Sequence, residues 1–283
     1  MVTTAWVASQ FPELSAITEY PHGGQKWVFG ATHHHDGAVV IKLIKPDTNA
    51  DRVQREILAV TQVRSPRIPT IFEQGSLKAV AGVGDVVWIR EQRVDGENVR
   101  QVLARGPLGP AEVLRLGQHV LEALTDVAQA RIVHRDVKPE NIMRATDGTY
   151  WLLDFGIARH LELTSLTATA ALSGPGTLGY APPEQFRNQK RELDERADLF
   201  ALAVTLVESL TGTHPYREGA RDRPEVLRRI EQAPLPVPVI AWDATGKLFD
   251  LLTAMGQRRK DCRPRGAAEA LTWIKEIPMP AAA

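Results

Sequence analysis

The sequence predicts an α+β protein in two parts, strand-rich ahead of Pro110 and helical after it. Short β-branched runs separated by turns fill the first part, whereas an apolar repeat of helical period begins at Pro110. Strands are expected over 27–31, 38–44 and 86–89. One helical repeat interrupts them in DRVQREILAV, where Val53, Ile57 and Val60 share a face and Glu56 stands beside it. From Pro110, a residue suited to a helix start, Val113, Val120, Leu121, Leu124 and Val127 line one face. Further helices are expected over 198–210, 224–230, 247–255 and 267–274. Between them APLPVPVI, 233–240, carries three prolines and reads as a surface connector, with a proline-rich docking motif as the alternative.

Composition narrows the class. Of 283 residues, 43% are hydrophobic and 24% charged, which suits a globular chain able to bury a core. Thirty-four basic residues balance thirty-four acidic ones, so no global field draws the chain to nucleic acid or an anionic membrane. Cys262 is the single cysteine, which excludes an internal disulfide and suits a reducing compartment. The N-terminus lacks the pattern of an export signal, and the apolar run over 201–210 is broken by Glu208, so a cytoplasmic location without a membrane span is expected. His33, His34 and His35 invite a metal reading, but consecutive residues point apart and no second ligand set is spaced for a closed site.

Two stretches carry chemistry: IVHRDVKPENIM, 132–143, and WLLDFGIAR, 151–159. Phosphoryl transfer needs a carboxylate to orient the attacking hydroxyl, oxygen ligands for a cation, and positive charge against phosphate. Asp136, Asn141, Asp154 and Lys138 are residues of those types. HRD-x-K-x-x-N followed by DFG resembles the catalytic loop and metal-binding motif of eukaryotic-like (Hanks-type) serine/threonine protein kinases, in their bacterial form. The resemblance implies the bilobal kinase fold over 14–277, with a β-rich lobe over about 14–92 and a helical lobe over about 95–277. An N-terminal extension, 1–13, and a short tail, 278–283, flank it.

Residue by residue, the resemblance makes Asp136 the catalytic base, Lys138 a contact of the transferring phosphate, and Asn141 and Asp154 ligands of Mg²⁺ or Mn²⁺. Lys42, closing the run VVIK, resembles the lysine that binds the α and β phosphates of ATP, with Glu56 as its expected ion-pair partner. Val28, Val40 and Met143 are the expected neighbours of the base. Glu91 falls at the gatekeeper position, usually apolar, with Gln92, Arg93 and Val94 supplying backbone bonds to adenine. The glycine-rich loop departs from the family: PHGGQKWVF keeps Gly23, with Gly24 beside it, and has Pro21 and Lys26 at the flanking glycine positions. Lys26 either offers charge to the phosphates or is a solvated loop lysine, and the sequence leaves both open.

The segment 160–184 resembles a kinase activation segment, with Thr177 in its GTxxY motif and Glu184 in PPE. Thr164, Ser165, Thr167, Thr169 and Ser173 are candidate phosphosites, with Arg135 as the residue that would receive the phosphate. Asp198 is expected to anchor the catalytic loop from a buried helix, and Glu184 to meet Arg263. The implied activity is transfer of the ATP γ-phosphoryl group to protein Ser/Thr hydroxyls, with autophosphorylation through a transient homodimer. Two rivals remain: a pseudokinase or ATP-binding scaffold, which the eroded glycine loop favours, and a small-molecule phosphotransferase of related fold.

Overall fold

The strand alternation seen in the sequence becomes a sheet with two unlike faces. A computed structural model describes residues 2–21, 26–44, 57–58, 60–80, 83–155, 178–187 and 193–279. They divide into two units, each considered by itself: residues up to Arg64 with Pro69–Val94, and Ser65–Ile68 with the described residues from Asp95 onward.

In the first unit helix α1 (Thr4–Gln10) precedes β1 (Leu14–Tyr20), β2 (Lys26–His33), β3 (Gly37–Ile44), β4 (Ile71–Val80) and β5 (Gly84–Gln92). The strands form one antiparallel sheet in the order β1-β2-β3-β5-β4. The pairings Phe29↔Ile41 and Ala31↔Val39 put four fully buried side chains on one face, joined there by Leu43 and Val86. Opposite residues share a face, and the next residue along a strand points to the other. Val28, Val40, Lys42 and Glu91 therefore line the second face.

Residues ahead of Leu14, read from the sequence as an extension, complete the core of the first face. Thr3 caps α1 by accepting from Trp6 N at 3.2 Å. Val7 is fully buried, and Phe11 packs edge-on against Trp88 with ring centroids 5.1 Å apart. Trp88 lies over Gly75 on β4, where a Cβ would stand 2.8 Å from the indole, so only glycine fits there.

The second unit begins its secondary structure with β6 (Gly96–Asn98) and α2 (Val99–Leu103), joined by a capping box in which Asn98 and Gln101 exchange side-chain and backbone bonds at 2.9 Å. There follow α3 (Pro110–Gln129), the hairpin β7 (Ile142–Ala145) and β8 (Tyr150–Leu152), α4 (Pro183–Phe186), α5 (Arg196–Thr211), α6 (Arg223–Gln232), α7 (Lys247–Met255) and α8 (Ala267–Lys275). Strands β6, β7 and β8 form a small antiparallel sheet. Helix α5 is buried on all sides from Ala197 to Ser209, as its apolar sequence requires, and α3 and α7 pack against it. Gly117 lets α3 approach α8: a Cβ there would meet Ile274 at 2.5 Å. Residues 233–240 form no regular element. Among the described residues no helix is long and apolar enough to cross a membrane.

Three histidines of this unit are buried and neutral. His119 Nδ1 accepts from Tyr150 N at 3.1 Å, and His214 Nδ1 accepts from Tyr216 N at 3.2 Å. Burial lowers His119 and His134 to about 4 and His214 to about 3 from an ordinary 6.5.

Two outcomes follow from this packing. Phe11→Ala should destabilise the first unit by about 3–5 kcal/mol in urea unfolding followed by tryptophan fluorescence, the cost of emptying an aromatic site; a loss below about 1 kcal/mol would show the N-terminal segment to be dispensable. The histidines bind protons in the unfolded chain near pH 6.5 and in the folded chain only near 4 and 3, so their contribution is full above 6.5 and is lost as pH falls. The urea midpoint should thus drop between pH 7.5 and 5.5, and His119→Asn, which keeps an acceptor without a titrating ring, should shrink that drop. Asp198, raised to about 7 by burial, acts in the opposite sense but is one group against three.

Candidate active site

The turn holding Asp136 depends on a carboxylate from elsewhere in the chain. Arg135 has φ +67°, a left-handed conformation unfavourable for a side chain with a Cβ. Asp198, 2% exposed near the start of α5, accepts Arg135 N and His134 N, each at 2.7 Å. Burial pushes Asp198 up to about 7, and those two bonds pull the other way. Gln185 adds a bond from Nε2 to Arg135 O at 3.1 Å.

His134 links the two motifs of the sequence. Its Nε2 donates to Leu153 O at 2.9 Å and its Nδ1 accepts from Asp136 N at 3.3 Å, one neutral tautomer serving both. Its ring lies 4.9 Å from that of Phe155. Leu153 N in turn donates to Asn141 O at 2.8 Å. The hairpin explains that bond, since Ile142 pairs with Leu152 and so sets Asn141 beside Leu153. Asp154 follows with φ +54°, a second left-handed residue in the site.

Two side chains converge on Asp136. Lys138 Nζ lies 2.7 Å from Oδ2, and Asn141 Nδ2 donates to the same oxygen at 2.7 Å and to Asp136 O at 2.8 Å. Lys138 forms an ion pair with the carboxylate, and the amide fixes its rotamer. With Nδ2 so engaged, Asn141 keeps Oδ1 as a hard oxygen donor, and Asp154 adds a carboxylate. Among the described residues no group of three or more His, Cys, Asp or Glu is arranged to hold a metal by itself. One carboxylate and one amide fit the habit of Mg²⁺, which takes few protein ligands and completes its shell with phosphate oxygens and water. The rings of His33, His34 and His35 cluster with centroids 4.0 to 6.0 Å apart, but they form no such group, and His33 Nδ1 lies 2.9 Å from Asp36.

Around this loop lie two ion-pair networks, one buried and one partly exposed. Arg263 donates to Glu184 from both terminal nitrogens, at 2.6 and 3.0 Å, and its other donors reach the carbonyls of Gln257, Arg196 and Arg258. The second network was not anticipated from the sequence. Arg100 on α2 donates to Glu140 at 2.9 Å, to Glu208 on α5 at 2.7 Å, and to Tyr180, whose hydroxyl also donates to Glu208. Burial works against the Arg100 charge, but the bond to Glu208 and the surrounding negative groups hold its pKa above the ordinary value. Glu140, the residue before Asn141, is thereby tied through Arg100 to Tyr180. Arg217, stacked 5.4 Å over Tyr180, bonds Leu178 O.

In the first unit Lys42 Nζ lies 2.5 Å from Glu91 Oε1, both side chains being nearly buried. The sequence assigned that role to Glu56, which lies outside the described residues, and read Glu91 only as the gatekeeper. Val28 faces Lys42 across the β2–β3 ladder, Val40 faces Glu91 across the β3–β5 ladder, and Lys26 opens β2 opposite Ile44. The amides of Gln92 and Arg93 donate to Thr70 O at 2.8 Å and Ala38 O at 3.1 Å. Those two N–H donors are thus engaged within the first unit. Met143 belongs to the second unit, opposite Asn98 and Trp151. Gly23, Gly24, Thr164, Ser165, Thr167, Thr169, Ser173 and Thr177 lie outside the described residues.

The model of the protein kinase domain matches residues 22–271 of this chain. Serine/threonine-protein kinase PknD of Mycobacterium tuberculosis is 34% identical over 81% of the chain and 34% of its own length. PknH of Mycobacterium bovis is 31% identical over 84% of the chain and 39% of itself, and PknB of Mycolicibacterium smegmatis 30% over 83% and 38%. The chain spans between about a third and two fifths of the length of these curated relatives. With nearly the whole chain inside the family model and the HRD and DFG stretches joined through His134, this protein belongs to the protein kinase domain family.

Proposed function

We propose that this chain transfers the γ-phosphoryl group of ATP to serine or threonine hydroxyls of proteins. The observation that carries the reading is the convergence of Lys138 and Asn141 on one oxygen of Asp136, within a turn held by Asp198. Asp136 takes the proton of the acceptor hydroxyl as its oxygen bonds to the γ-phosphorus; the bond from that phosphorus to the β–γ bridging oxygen breaks, and ADP leaves. Lys138, paired with the carboxylate, presents positive charge beside the transferred group. Lys42 holds the α and β phosphates, while Val28 and Val40, on the same face of the sheet, cover the base. Asn141 and Asp154 would hold a divalent cation, Mg²⁺ by preference and Mn²⁺ in its place, which neutralises charge on the phosphate oxygens when bound.

The relatives named as serine/threonine kinases support the choice of acceptor, as does the lysine at position 138. We further read Thr164, Ser165, Thr167, Thr169 and Ser173 as autophosphorylation sites, modified within a transient homodimer and received by Arg135. The balanced net charge supports protein partners rather than nucleic acid, and the exposed thiol of Cys262 suits a cytoplasmic setting.

The pure protein incubated with labelled ATP, Mg²⁺ and a generic protein acceptor should transfer label to Ser and Thr. Asp136→Asn, which keeps an acceptor for Lys138 but removes the base, should lower that rate by about 10²-fold or more. Omission of the divalent cation should stop transfer. Nucleotide binding without transfer in the unaltered protein would favour the scaffold reading instead.

A further inference from the structure

We propose that Glu91 is a positioning residue for Lys42, so that the β-sheet itself supplies a carboxylate that aims the phosphate-binding lysine; this rests on the kinase reading above. Sheet register dictates the pairing. In the β3–β5 ladder Val40 lies opposite Glu91 and Lys42 opposite Ile89. Lys42 is two residues beyond Val40, so it shares Val40's face and becomes the diagonal neighbour of Glu91, a spacing that long side chains span. The observed separation is 2.5 Å between Nζ and Oε1. Both residues are less than a tenth exposed, in a sheet whose neighbouring side chains Val87 and Ile89 are apolar and buried.

Such a pair is costly to form and costlier to break, because removal of either member leaves a charge out of water. A carboxylate at this place therefore fixes the lysine rather than merely tolerating it. An ammonium carries three N–H donors, so Lys42 can hold Glu91 and still offer hydrogen bonds to phosphate oxygens. Glu91 reaches no phosphate in this scheme; it acts through Lys42 alone. A carboxylate on the strand next but one from β2 also stays in place when helices move, since it is part of the same hydrogen-bonded sheet as the lysine.

The test is a double-mutant cycle read in two quantities, affinity for a fluorescent ATP analogue with Mg²⁺ and the urea midpoint. Glu91→Leu should weaken nucleotide binding on the order of ten-fold, and Glu91→Gln, which keeps an acceptor, should recover part of the loss. In the Lys42→Met background Glu91→Leu should change binding no further, and it should restore part of the stability, because it removes a buried carboxylate that has lost its lysine. Unaltered binding in Glu91→Leu, or an equal further loss on top of Lys42→Met, would overturn the proposal. Should Glu91→Leu fold poorly, Glu91→Gln carries the same comparison. If the unaltered protein binds nucleotide but transfers no phosphate, the kinase reading fails while the cycle still decides the role of Glu91; if it binds no nucleotide, both fail.

Discussion

The catalytic turn depends on one buried carboxylate that accepts two backbone amides. Asp198 has no cation bonded to its oxygens in the contacts described, and it is kept in the interior by Arg135 N and His134 N. A left-handed residue with a side chain costs roughly 1–2 kcal/mol, which charge-assisted bonds of about 1.5–3 kcal/mol each can offset. With Arg135 turned, His134 faces inward, and its two ring nitrogens set the spacing between Asp136 N and Leu153 O. The HRD and DFG stretches are thus held together by a single imidazole, itself held through its backbone amide by Asp198. A neutral ring is required, since protonation of Nδ1 would remove the acceptor for Asp136 N, and full burial secures that state.

Helix α5 makes this arrangement stiff. Asp198 and Glu208 are ten residues apart in the sequence, about 15 Å along the axis, so the helix that positions the catalytic turn near its start holds Arg100 and Tyr180 near its end. Its hydroxyl side chains bond its own backbone, Thr205 to Ala201 O, Ser209 to Thr205 O and Thr211 to Val207 O, while Arg196 at its start bonds Asp194. The other side chains from Leu199 to Val207 are apolar and buried, so this stretch is packed on every side. Glu140 gains from this, because Arg100 ties it to Glu208 one residue away from Asn141.

What the sequence made legible is local or contiguous. Asp136, Lys138 and Asn141 lie within six residues and interact within them, so their spacing announced their chemistry. The β2 and β3 strands and the helices over 110–129 and 247–255 were readable because alternation or helical repeat survives in a single strand or helix. Arg100 gave no such sign: its partners are 40, 80 and 108 residues away and sit in ordinary contexts. Helix α1 escaped for a related reason. Seven residues are too few to establish a period, and the segment is stabilised by Trp88 and the sheet rather than by its own propensity. The pairing of Lys42 with Glu91 was within reach, since strand alternation in VVIK and IREQ puts both on one face once the strands are set side by side. Choosing the register was the missing step, and register is fixed by burial on the opposite face.

That last dependence joins the N-terminal helix to the chemistry. A slip of one residue between β3 and β5 would carry Lys42 to the dry face beside Phe29, Ala31 and Val86, where an ammonium has no solvent and no carboxylate. The more completely that face is filled, the larger the penalty for the slip. Val7 and Phe11 fill it from outside the sheet, so residues that touch no reacting group raise the energy gap protecting the register. The ionic face contributes from its side, because the wrong register would also strand Glu91. Apolar packing and a buried ion pair here favour the same alignment from opposite faces of one sheet, so a charge pair whose desolvation cost offsets its attraction still selects between registers.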